Sequence, residues 1–444
     1  MGNRKSNRAS PGMRRQRSVT PVRAHKKSEH RDSQKRHMKK QQQMQIRRRK
    51  QSAEVMKKKR EGWAQVALET QRIVLGDGKY VEERNVSSDP HEMTVTAQGL
   101  GSHTLMPLNF KRLGVVHDIS MQIELSKQQT VSYPHYSEKL ATWAASIPSI
   151  PDPRPSTVIE FTKLSALAAA RRLHATYPHL HEQSTSALDK TKIGVMSFAS
   201  PKRPGGGYLH GGDEQEEVIA RSSSLVAALG SPQAATFYQT HRQYKNEDGS
   251  GLHDHSMVYS PGIVVFRKED EELEEEQPVT RGRRKRNDTP APVVTDPSGA
   301  FIEPFLVNVV SAVPVNAAAV RQKHVIPPED AQFFADGIRH AMKERMARVL
   351  RCFEDNGDRA LVLGAFGCGS SENDPEVIAD IWAELLVTGD RAAEGKENKP
   401  ARFKDVFERV VFAVPGKWHA PFKRAFEMRV FEQEVTDGTS SGDP

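Results

Sequence analysis

The chain reads as an α/β protein built around a layered sheet-and-helix domain, and three observations predict this. From about residue 157, short β-branched and apolar runs alternate with stretches whose apolar spacing suits helices, the pattern of a sheet covered by helices. Two of those runs, 193–198 and 360–363, feed glycine clusters, as buried strands do at the edge of a sheet. The third observation is charge segregation. Residues 1–60 hold 22 Lys/Arg against 3 Asp/Glu, a net of +19, whereas the whole chain is +9, so the remaining residues carry −10.

The arm, 1–60, has almost no aromatic or β-branched residues and cannot bury enough apolar surface to offset its ordering entropy. It is expected to be disordered and to attract a polyanion such as nucleic acid by releasing counterions. A solubilising or targeting tail is the plainer alternative. Residues 61–156 form an N-terminal accessory region. It opens with a helix carrying Trp63, Val66, Ala67 and Ile73 at helical spacing and stops at Gly76 and Gly78. Residues 86–156 read as irregular, with one strand near MQIEL.

The principal domain is placed at 157–428. Its expected elements are strands at 157–161, 193–198, 257–259, 263–266, 305–310, 360–363 and 410–414. Helices are expected over SALAAARRLHA and at 215–229, 329–353 and 375–386. Segments 268–299 and 387–404 read as disordered insertions, and 429–444 as a flexible tail.

Cys352 and Cys368 are the only cysteines, too few for a disulfide framework, so a reducing compartment, nucleus or cytoplasm, is expected. RGRRKR at 281–286 suits a nuclear-localisation patch. No apolar run approaches the ~18–20 residues that span a bilayer.

The chemistry concentrates at 205–217, GGGYLHGGDEQEE. Three glycines let the backbone turn sharply and approach a ligand. After seven intervening residues Gln215-Glu216-Glu217 open a helix, which puts carboxylates beside that same ligand. A second glycine loop, Gly364, Gly367 and Gly369, follows an apolar run and precedes a helix. Backbone amides in such loops cradle phosphates, and an α/β sheet binds its ligand at the carboxyl ends of its strands. Two such loops suit one ligand with extended phosphates. Acidic residues at a helix start are also ordinary solvated residues. His253-Asp254-His255 offers two imidazoles at i,i+2 but no further ligand nearby, and reads as a surface loop.

The blocks VMSFASPKRPGGG, Gln215-Glu216-Glu217 with Arg221-Ser222-Ser223, MVYSPGIVVFR, VNVVSAVP and LVLGAFGCG with Asn373-Asp374-Pro375 occur in order. Together they resemble the microbial-type poly(ADP-ribose) glycohydrolases, a macrodomain-derived family. ALETQRIVLGDGKY resembles that family's accessory helix, so the likeness covers roughly 63–415. It implies a macrodomain-like mixed sheet flanked by helices, and hydrolysis of ribose–ribose O-glycosidic bonds in poly(ADP-ribose) without metal or organic cofactor. It makes Glu217 the catalytic acid, with Glu216 holding ribose hydroxyls. Substrate contacts fall to Ser197, Gly205, Gly206, Gly207, Gln215, Gly364, Gly367, Cys368 and Gly369. The implied partners are poly(ADP-ribose) and ADP-ribosylated proteins, with no membrane.

Two departures stand out. Ser197 occupies a place where the family usually has Asn, and Ser370-Ser371 lie where a bulky residue often packs on substrate. An ADP-ribose reader without turnover, a hydrolase of mono-ADP-ribosylated targets, and a nucleic-acid-associated protein acting through its arm stay open as alternatives.

Overall fold

The computed structural model describes residues 22–87, 110–145, 155–182, 190–247, 250–269, 301–324, 326–391 and 400–440. Contacts divide the chain into two units between Lys59 and Arg60. In order, the elements are α1 Val22–Val74, β1 Lys79–Ser87, β2 Phe110–Asp118, α2 Ser120–Gln129, β3 Val131–Tyr133, α3 Glu138–Ala141, β4 Val158–Thr162 and α4 Ala166–Thr176. Next come β5 His181–Glu182, β6 Lys190–Thr191, β7 Ile193–Phe198, α5 Gln215–Ser222, α6 Leu225–Leu229, α7 Ala235–Glu247, β8 Met257–Arg267 and β9 Phe301–Ala312. The chain closes with α8 Ala317–Lys323, α9 Ala331–Asp355, β10 Ala360–Leu363, α10 Pro375–Ala383, β11 Arg409–Ala413 and α11 His419–Ser440.

Among the described residues, seven strands make one mixed sheet in the order β3-β8-β9-β7-β10-β11-β4. From β9 to β4 all neighbours are parallel, while β8 is antiparallel to both β3 and β9. Strands buried on both faces need apolar residues throughout, and Ile193, Val195 and Met196 in β7 are fully buried. One face packs Met342 and Phe353 of α9 and Trp382 of α10; the other packs Leu167, Ile219, Leu225 and Phe237 from α4 to α7. A third cluster joins Ala67 and Ile73 of α1 to Ile123, Tyr208 and Phe266.

Several expectations are corrected. Residues 22–60, read as disordered, are helical. No glycine or proline lies between 22 and 61, and Lys, Arg, Gln and Met are strong helix formers. Nearly every side chain over 40–59 is exposed, so propensity and not burial holds that stretch. MQIEL is not a strand but part of α2, which buries Ile123 and Ser126 at helical spacing.

The helix expected over 215–229 breaks at Ser223, whose backbone is extended and bridges to Val265. There the Ser224 amide donates to Val264 O at 2.9 Å, and Ser224 Oγ accepts the Val264 amide at 2.9 Å. The two strands expected at 257–266 are one, β8, irregular between Ser260 and Ile263. The tail expected from 429 is the last half of α11. Phe422 and Phe426 pack against Phe161 and Phe412, and Arg429 donates to Gly389 O at 3.1 Å. Of the two insertions, 270–299 and 392–399 lie outside the described residues; Phe403 is fully buried and its amide bonds Leu385 O at 3.0 Å.

Candidate active site

Strand β7 ends at Phe198 in the middle of the sheet, and α5 returns directly over that end. Gln215 fixes the return: its Oε1 accepts the Phe198 amide at 2.8 Å and its Nε2 donates to Met196 O at 3.0 Å. The side-chain amide thus extends the ladder past the strand.

With Gln215 pinned, the next two side chains diverge, since successive helical residues point about 100° apart. Glu216 turns inward and is 1% exposed. Its Oε2 accepts the Ser200 amide at 2.6 Å, and its Oε1 meets no hydrogen-bond partner among the described residues. Burial pushes this carboxyl up to about 8, with the Glu217 charge adding to the rise and the Ser200 and Gly205 amides opposing it. Burial raises the Tyr238 hydroxyl well above its ordinary value, and the Glu216 charge adds to the rise.

Glu217 turns the other way and stays half-buried. Its Oε1 accepts the Gly207 amide at 2.8 Å. Gly206 and Gly212 pass so close that a Cβ on Gly206 would stand 2.5 Å from Glu217 Oε1, and one on Gly212 2.7 Å from Glu217 Cγ. Gly206 also has φ +54°, a conformation open to glycine at little cost.

The second glycine loop leaves β10, the parallel neighbour of β7, so both loops open from the same edge of the sheet. Phe198 and Phe366 pack with ring centroids 5.3 Å apart. A Cβ on Gly369 would stand 3.0 Å from Glu214 Oε2, so the two loops touch. The second loop is tied down by Trp382 Nε1, which donates to Gly364 O at 3.1 Å. Asn373 Nδ2 donates to Gly367 O at 3.1 Å and Val315 O at 2.7 Å. The two glycine turns thus meet through Glu214, and the first of them holds the half-buried Glu217 carboxylate.

Residues 109–268 match the family model "Microbial-type PARG, catalytic domain". Over that segment the chain is similar to this family. The poly(ADP-ribose) glycohydrolase of Thermomonospora curvata is similar at 26% identity and a TM-score of 0.56, covering 82% of this chain and 100% of that chain. The same enzyme bound to the inhibitor ADP-HPD is similar at 28% identity and a TM-score of 0.55, with the same coverage. No match was found among the curated proteins. The mixed seven-stranded sheet with helices on both faces is the fold the resemblance implied.

Of the residues that the resemblance to microbial-type PARG singled out, Gly205, Gly206, Gly207, Glu216 and Glu217 gather at the end of β7, with Gly364, Gly367 and Gly369 beside them. Gln215 belongs to the scaffold, both ends of its amide being used by β7. Ser197 is fully buried on the face of β7 beneath α5, level with Ser311 of β9, and neither hydroxyl finds a partner among the described residues. Cys368 is buried and its thiol is pushed up to about 12, chiefly by burial, so it packs as a neutral group.

His253-Asp254-His255 is not a simple surface loop. Asp254 Oδ1 accepts the Ser256 hydroxyl at 2.5 Å, and His255 stacks on His135 at 5.2 Å. Among the described residues no three His, Cys, Asp or Glu side chains converge to hold a metal ion. Sequence reasoning missed Glu214 and the aromatic pair Phe198–Phe366. Only the wrapping of one loop onto the other brings them in.

Proposed function

We propose that the chain hydrolyses the ribose–ribose O-glycosidic bonds of poly(ADP-ribose), releasing ADP-ribose, with Glu217 moving the proton. One observation carries the reading: Glu217 is the accessible member of the carboxylate pair, held by the Gly207 amide over Gly206 and Gly212. The second glycine loop, at the end of the adjacent parallel strand, supplies backbone amides for the diphosphate.

Glycosidases usually set two carboxylates on opposite sides of the scissile bond. Neighbours on one helix cannot flank a bond in that way, and burial makes Glu216 a neutral acid near pH 7. A single-carboxylate cycle follows. Protonated Glu217 gives its proton to the departing ribose oxygen as the C–O bond breaks, leaving an oxocarbenium-like sugar. The resulting carboxylate takes a proton from water as the oxygen of that water bonds the anomeric carbon, which restores the acid. Glu216 keeps the loop in place through the Ser200 amide, and a ribose hydroxyl must displace that loop to reach its buried Oε1.

Incubating the protein with poly(ADP-ribose) and identifying the products chromatographically tests the reading. Wild type should release ADP-ribose, whereas Glu217→Gln should lose about 10²–10⁴-fold in turnover, the usual worth of a general acid, and still bind ADP-ribose. Binding without release by wild type would make the chain a reader instead.

For the arm, the proposal is a polyanion contact over residues 1–60, favouring poly(ADP-ribose) and ADP-ribosylated proteins. Binding of full-length protein to such a chain should weaken steeply with salt, with a log–log slope that falls when Arg47, Arg48, Arg49 and Lys50 are replaced by Gln. An unchanged slope would refute it.

A further inference from the structure

The stretch Arg60–Val74 of α1 lies along the very turn that carries Glu217. The Arg60 carbonyl fills the space beside Gly211, where a Cβ would come within 2.1 Å of its oxygen. Arg60 Nη2 stands 3.8 Å from Asp213 Oδ1. Gln71 Nε2 donates to the Tyr208 hydroxyl at 3.2 Å, and the buried Thr70 hydroxyl donates to Arg221 O at 2.6 Å. Between these contacts sits Trp63, with the Arg221 guanidinium carbon 5.1 Å from its ring centroid.

Arg221 is only 4% exposed, and its Nη1 donates to the Gly212 carbonyl. It occupies the last turn of α5, where a cation is favoured by the helix dipole. The indole face is the best aromatic partner for such a cation when water is excluded. Gly212 in turn is the wall against which the Glu217 side chain rests. The contacts therefore form one line from the accessory helix to the carboxylate: Trp63, Arg221, Gly212, Glu217.

We infer that Trp63 and Arg221 are positioning residues for Glu217, clamping the 205–214 turn so that the carboxylate is held ready for proton transfer. The kinetic part of this inference rests on the hydrolase reading above; the mechanical part does not. With the clamp in place, Gly207 and Gly212 cannot drift from the Glu217 side chain. Without it, the turn keeps its glycines but loses the donor that fixes its carbonyl. The accessory helix then acts on the chemistry without touching substrate.

The test uses the full chain as wild type, Trp63→Ala, Trp63→Phe and Arg221→Lys, read by hydrogen–deuterium exchange and by steady-state hydrolysis of poly(ADP-ribose). In Trp63→Ala, exchange in peptides covering 203–217 should rise about tenfold or more, with exchange in β10 and β11 unchanged. The turnover number should fall about tenfold or more, with KM within about threefold. Trp63→Phe, which keeps an aromatic face, should bring both back to within about threefold of wild type. Arg221→Lys, which keeps the charge but loses the planar donor, should match Trp63→Ala. Unchanged exchange over 203–217 overturns the clamp, and so does acceleration spread across the sheet, which would mark Trp63 as a general core residue. Should wild type fail to release ADP-ribose, the hydrolase reading falls while the exchange comparison still decides the clamp.

Discussion

Gly206→Ala gives the sharpest test of how the loop holds its carboxylate, because the structure contains its control. At Gly206 two costs add: φ is +54°, and the new methyl would stand 2.5 Å from Glu217 Oε1 and 3.0 Å from its carboxyl carbon. At Gly357, just past α9, φ is +77° but nothing lies within 4 Å of the new methyl. A left-handed conformation costs a non-glycine residue about 1–2 kcal/mol. Gly357→Ala should therefore lose only that in stability and nothing in rate.

Gly206→Ala should lose at least as much stability and, in addition, displace Glu217. A shift of about 1 Å in a catalytic group is enough for a ~100-fold loss in rate, equivalent to about 2.7 kcal/mol of barrier. Urea denaturation and the initial rate of ADP-ribose release measure the two quantities side by side. Equal rates for the two variants would refute the claim that the loop backbone sets the position of Glu217.

Three further expectations follow from neighbouring groups. The Glu216 carboxyl, at about 8 when folded, lies above its unfolded value, so the folded chain binds the extra proton and wild type loses stability as pH rises from about 4.5 through 8. Glu216→Gln should remove that share of the slope, matching wild type near pH 4 and exceeding it at pH 9 in urea midpoints. Asp358, pushed up to about 7 by burial, contributes a similar slope in both proteins, so only the difference between them is diagnostic. Glu214→Gln should tighten ADP-ribose binding by about fivefold at low salt, since removing one exposed like charge a few ångströms from a phosphate at Gly369 is worth about 1 kcal/mol. Calorimetry should show that gain shrinking as salt screens the charge. Cys368→Ala should leave turnover within about twofold, and iodoacetamide should not inhibit; strong inhibition would contradict the packing role of the thiol.

The sheet was legible wherever a strand is buried on both faces, because burial forces an uninterrupted apolar run: 193–198 and 360–363 match β7 and β10 to the residue. It was less legible where the residues meet only in three dimensions. Ser223 and Ser224 read as helix because nothing local reveals that β8 will bond their backbone. Residues 22–60 read as coil because their charge and lack of apolar residues point to disorder, while helix propensity points the other way. Within the site, spacing marked the glycines and the triplet that follows them, and the family resemblance singled out Glu217. Gln215 was grouped with the substrate contacts because its attachment to β7 depends on where the strand stops. Ser197 was singled out by the resemblance, as standing where the family usually has Asn, and that likeness does not tell what covers its face of β7; α5 covers it.

The pairing of two adjacent carboxyls then has a mechanical reason. Gln215 sets the start of α5 against the end of β7, and the 100° step sends one carboxyl under the loop and the other beneath the open glycine turn. Two ionised carboxylates side by side would repel, and burial removes that conflict by keeping Glu216 neutral near pH 7. The neutral acid still accepts the Ser200 amide, so the loop is tethered without a charge on Glu216. Reversing the pair's burial, with Glu217 inside and Glu216 outside, would leave the accessible carboxylate without the Gly207 donor. The order Gln-Glu-Glu is thus a positional requirement: the first residue registers the helix, the second anchors the loop, and the third stays half-buried against the glycine turn.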